Sequence, residues 1–161
     1  YYDKIYIEGE YMKKLQFILL GIVILFMLYL IFNKEEYITC NKKSMNKDYT
    51  LLTNYKIYYK NKEVYKIEIE ENVEAKTANI LNQIMQNIEN SYKSYKEEIG
   101  SYDYEITKEK TKGKTNVIIN YDEIDMEAYL KYNPDANLNE NKRYNIDDLK
   151  KLYEEGGATC K

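Results

Sequence analysis

Four carboxylates crowd into six residues of this chain: Asp122, Glu123, Asp125 and Glu127 in "YDEIDMEAY". Paired carboxyls can divide the acid–base work of glycoside hydrolysis, so a cell-wall hydrolase reading begins here. The plainer reading is structural, because acids at the start of a helix complement its dipole. "SMNK" (Ser44–Lys47) has the S-x-x-K form of serine acyl-enzymes. That chemistry also needs elements such as S-D-N and K-T-G, and the chain is too small for such an architecture. A loop between strands is the better reading.

"KGKT" (Lys112–Thr115) looks like the end of a phosphate-binding loop, but Lys108 stands where the first glycine is required. "DANLNENKRYNI" begins like a calcium loop, with Asp135, Asn137 and Asn139 alternating. Glu140 occupies the glycine position and Ile146 that of the bidentate glutamate, which leaves a solvated turn. The chain has no histidine, the residue most used for proton transfer near neutral pH, and Arg143 is its only arginine. No cofactor or metal site is expected, and nothing in the sequence proposes an enzyme.

The 161 residues leave room for one compact domain. A net charge of −3 gives no footprint for nucleic acid. Twenty tyrosines and abundant Lys, Asn and Ile point to AT-rich codons and a low-GC bacterium. All three Phe (Phe17, Phe26, Phe32) fall in one apolar run, so aromatic packing elsewhere rests on tyrosine.

That run, Leu15 to Phe32, carries no charge. At ~1.5 Å per residue, its helix would span about 27 Å, close to a bilayer's hydrocarbon core. Its bulky end, followed by Asn33-Lys34-Glu35-Glu36, lacks the small residues of a cleavage site. Cys40, behind Thr39 and beyond those charges, is badly placed for a lipoprotein cysteine. Residues 12–34 therefore read as an uncleaved anchor in membrane lipid. Lys13 and Lys14 ahead of it put the N-terminus in the cytoplasm and residues 35–161 outside the cell. Residues 1–11 are either translated leader ahead of a true start at Met12 or a short cytoplasmic tail. A purine-rich ribosome-binding sequence can encode Glu8-Gly9-Glu10.

The two cysteines, Cys40 and Cys160, bound the outer domain. In an oxidising compartment their simplest pairing is with each other. Such a bridge would tie both ends of the domain together.

Within that domain, "EYITCNK" (Glu36–Lys42) reads as a strand. Tyr49–Lys60 and Glu63–Glu70 read as a hairpin turning at Asn61-Lys62. From Thr77 to Ile99, Leu81, Ile84, Met85, Ile88, Tyr92, Tyr95 and Ile99 recur at three- and four-residue steps, the stripe of an amphipathic helix ended by Gly100. A second hairpin runs from Tyr102 to Tyr121, turning near Lys112-Gly113. A short helix is expected over Asp122–Tyr132. A last helix is capped by Asn145 and ended by Gly156-Gly157, with Ile146, Leu149, Leu152 and Tyr153 inward. The fold class is α+β: an N-terminal transmembrane helix, then an antiparallel sheet packed against one long amphipathic helix, with a short C-terminal helix.

The order of hydrophobic leader, "TC", hairpin, helix ending "EEIGSYDYEI", "VIINYDEIDMEAYL" and "YNIDDLKKLYEEGGATCK" resembles the YehR-like lipoproteins, over most of residues 36–161. The resemblance implies an extracytoplasmic α+β domain and carries over no catalytic residue; this chain departs from the lipoprotein pattern at Cys40, which speaks against lipid attachment there. Two functions follow as expectations. The first is a non-catalytic binding or accessory domain of the cell envelope, meeting an envelope protein or wall component through exposed tyrosines such as Tyr58 or Tyr59. The second is a hydrolase using the carboxylates around Asp122–Glu127.

Overall fold

The computed structural model describes residues 18–29 and 35–161. Residues 18–29 are helical (α1), and all of them except Gly21 are exposed. Among the described residues no helix is long and apolar enough to cross a membrane. The ends of the expected span, Met12, the lysine pair at 13–14 and residues 1–11 lie outside the described residues. The chain divides into two units at Glu35/Glu36.

The second unit, Glu36–Lys161, is α+β. Its strands are β1 (Glu36–Met45), β2 (Tyr49–Lys60), β3 (Glu63–Ala75), β4 (Tyr102–Glu109), β5 (Lys112–Asn120) and β6 (Thr159–Cys160). The helices are α2 (Ala78–Ile99), α3 (Met126–Tyr132) and α4 (Ile146–Glu155). Every neighbouring strand pair is antiparallel, in the order β4-β5-β3-β2-β1-β6. The α2 crossover carries the chain from β3 to the far edge, so that β5 folds back between β4 and β3.

Local chemistry explains the punctuation. Asn61 and Lys62 both take positive φ (51° and 67°), the backbone a two-residue hairpin demands. The second hairpin turns at Lys110 (φ 51°) and Thr111, two residues before the expected Lys112-Gly113. Gly113 lies inside β5 instead, where a Cβ would collide with the Met85 thioether of α2. Thr77 caps α2 by accepting from the Ile80 amide, and Gly100 (φ 76°) stops it. The third helix starts at Met126 rather than at Asp122, because Asp125 takes the capping position and accepts from the Glu127 and Ala128 amides.

Period-two alternation gives the sheet one face toward the helices. On it, Ile57, Ile67, Val117 and Ile119 join Ile99 of α2 and Ile146 and Leu149 of α4 in the main core. Val73, Ala75, Leu81 and Met85 form a second, smaller core. Tyrosine supplies the aromatic packing, as its numbers suggested. Tyr121, Tyr129 and Tyr144 meet edge to face, and Tyr55 lies against Tyr153 with ring centres 4.5 Å apart. Leu152 does not turn inward as its spacing suggested: it is 58% exposed, one position off the buried side of α4.

Cys40 pairs laterally with Cys160 across β1 and β6, and their sulfurs are bonded, closing a separation of 120 residues. Backbone bonds from Thr39 to Lys161 in both directions hold the same junction.

Candidate functional site: a polar row beneath the long helix

The carboxylates that suggested hydrolysis are each occupied locally. Asp122 pairs with Arg143, whose guanidinium also donates to the Tyr121 carbonyl. Glu123 accepts from Asn120 at 2.6 Å and Ser101 at 3.3 Å. Asp125 caps α3, and Glu127 lies in that helix's first turn. All four are exposed, and their partners are those of a helix start and a clipped loop. The calcium-like segment is likewise employed: the Asn139 and Asn141 amides both donate to Glu63 Oε1 at 2.7 Å. Among the described residues no group of acids, cysteines or histidines could hold a metal ion. The Lys112–Thr115 segment is strand, and Ser44 ends up on β1 opposite Leu51.

The tyrosines expected at the surface are not free. Tyr58 is only 7% exposed, although it lies on the side of the sheet away from the helices. Lys66 Nζ sits 3.9 Å and Lys56 Nζ 4.8 Å from its ring centre, Tyr37 leans against it, and its hydroxyl donates to Glu68 Oε2 at 2.9 Å. A register shift between Tyr58 and Tyr59 breaks the alternation there, and Tyr59 is half-buried against the main core. Burial presses the Glu68 carboxyl upward, but the Tyr58 hydroxyl and Lys66 outweigh it and hold its pKa below the ordinary value. Lys114 and Asn72 do the same for Glu70.

Chemistry that the sequence reading missed lies on the helix side. Thr53, Glu71 and Thr115 stand side by side on β2, β3 and β5, and Lys42 extends the row on β1. Thr53 and Thr115 are buried, at 4% and 0% exposure. Glu71 occupies the inward phase of β3 between Ile69 and Val73, which belong to different cores. Burial raises its pKa, and the Tyr92 hydroxyl of α2 works against that rise. Glu71 Oε2 and Thr115 Oγ1 meet no hydrogen-bond partner among the described residues. Tyr55 and Tyr92 are pushed upward by burial first and by the Glu71 charge second. The signal was present in "KIEIEENVEA": Glu71 shares the parity of Ile67, Ile69 and Val73.

With this architecture in view, two solved structures are similar to the chain. The NMR structure of the E. coli YehR protein superposes with a TM-score of 0.54, 18% identity, and 79% of this chain covering 91% of that one. This chain has the YehR fold. The NMR structure of a protein from Streptococcus pneumoniae TIGR4 matches with a TM-score of 0.51 and 14% identity, 80% of this chain covering 86% of the other. The likeness to the YehR-like proteins read from "TC", the hairpin, the helix ending "EEIGSYDYEI" and "GGATCK" is thus met by a likeness of fold. No protein-family model matches the sequence, and no curated protein matches it.

Proposed function

We propose that this protein is a membrane-anchored domain of the cell envelope, held outside the cytoplasm, that works by binding rather than by catalysis. The observation that carries the reading is the sheet face turned away from the helices. Its centre is a depression of about 420 Å³ lined by Asn54, Lys56, Glu68, Glu70, Asn116 and Ile118. Beside the ion pairs of Lys66 with Glu68 and Lys114 with Glu70, Leu52 and Ile118 stay exposed at 38% and 46%. A broad face of fixed polar groups with apolar points between them suits recognition of an envelope protein or a wall component. The disulfide supports an oxidising compartment, and the uncharged run Leu15–Phe32 supports an anchor in lipid.

The test is capture from the organism's own envelope fraction by the full-length oxidised protein, compared with an Ile118→Arg, Leu52→Arg variant of unchanged circular dichroism. Loss of specific partners in the variant supports the reading. Identical capture by both forms, or none by either, ends it.

A further inference from the structure

We propose that Glu71 is a proton-operated latch beneath α2: neutral, it lets the helix lie closed on the sheet, and ionised, it loosens the central turns and uncovers the inner face. This inference stands apart from the binding reading and does not depend on it.

The geometry is that of one helix bridging two apolar patches with a carboxyl between them. Leu81 and Met85 near the start of α2 belong to the smaller core, and Ile99 at its end belongs to the main one. Tyr92 lies between and reaches Glu71. The neighbours of Glu71 across the strands, Thr53 and Thr115, are neutral, as is Tyr55 of β2, on which its charge acts. Ile106 of β4 ends the row. Tyr104 stacks on Tyr92 from β4, with ring centres 6.1 Å apart, and Tyr102 acts on Tyr92 from the same strand. Lys42 stands in the row two strands from Glu71, with Thr53 between them, and no ion pair to Glu71 forms among the described residues.

Glu71 is half-buried, with its Oε2 shut away from solvent and unpartnered among the described residues; an ionised carboxylate without a cation is costly there, so ionisation favours lifting the cover. Lifting α2 is the available motion. It is one helix, stopped at Gly100 by a left-handed residue, and its outward side carries Asn79, Asn82, Gln86 and Glu89 in solvent. Burial raises the folded-state pKa of Glu71 above the ordinary 4.5. Below that ordinary value the group is neutral whether α2 is docked or lifted, and the closed form is fully favoured. As pH rises through the folded pKa, ionisation favours the lifted form.

The experiment is amide hydrogen exchange of the full-length oxidised protein from about pH 4 to about pH 8, with rates corrected for intrinsic base catalysis. The opening equilibrium of amides between Met85 and Tyr92 should rise several-fold across that range, while strand β3 stays flat. Glu71→Gln should hold those amides closed at every pH, and Glu89→Gln on the solvent side should follow the parent. Tyr92→Phe, which removes a hydroxyl that offsets the charge, should steepen the rise. A parent profile without slope, or the same slope in Glu71→Gln, overturns the latch.

Discussion

At the scale of single residues, this domain substitutes phenols for a conventional aromatic core, and phenols titrate. Burial pushes Tyr102 up to about 12 and lifts Tyr92, Tyr121, Tyr129 and Tyr153 well above 10 as well. In the unfolded chain each would ionise near its ordinary value of about 10. Their stabilising share is therefore complete below pH 10 and is lost as pH climbs through the folded values. Alkaline titration should show Tyr92, Tyr102, Tyr121, Tyr129 and Tyr153 ionising together, in one step that coincides with loss of far-ultraviolet dichroism. A smooth titration with the fold intact would contradict the buried placement. Within this group the Tyr129 and Tyr144 hydroxyls lie 2.9 Å apart. Tyr129→Phe should cost about 1 kcal/mol in urea denaturation, the net worth of one such bond.

At the scale of elements, the closest approach of helix to sheet is at Met85 over Gly113. Gly113→Ala should destabilise by about 1–3 kcal/mol through overpacking, measured by denaturant midpoint, and Met85→Ala in the same chain should return part of that loss. Asp125→Ala removes the cap of α3 and should cost about 1 kcal/mol by the same measurement. Elements were the most legible level of the sequence, since each is written in a local code. The alternation around Ile67 and Ile69, the Leu81-to-Ile99 stripe, Asn61 before a turn and Asn145 before a helix all act within a few residues. Misreadings arose where a distant partner overrides that code. Gly113 looked like a turn because the helix that requires it is almost thirty positions upstream. Tyr58 looked exposed because neither the register shift nor its cover from Lys66 of β3 and Tyr37 of β1 can be seen from β2 alone. Glu71 went unread because the strand was expected to end at Glu70, whereas β3 runs on to Ala75 and the parity of Ile67 and Ile69 carries Glu71 inside. The strand order, with β5 between β4 and β3, depends on pairing across the α2 crossover and has no local signature at all.

At the scale of the whole domain, β6 is two residues long and its place in the sheet is secured by the bond from Cys160 to Cys40. Cys160→Ser, or reduction of the parent, should lower unfolding free energy by about 2–5 kcal/mol, read from denaturant midpoints with and without reductant. A change below the error of the measurement would mean that the lateral bonds of Thr39 with Lys161 hold the end unaided. Because Cys40 is spent in this bond and has no exposed surface, its sulfur is not open to a lipid thioether in the oxidised fold.

That linkage also decides how the domain meets a protease. A cut in the solvent-facing stretch from Asn133 to Asn141 would separate two fragments that stay bound through the sulfur bridge and the sheet around it. The wounded molecule would migrate as one band until a reductant parted it, so damage there need not release the domain from wherever its first residues are held.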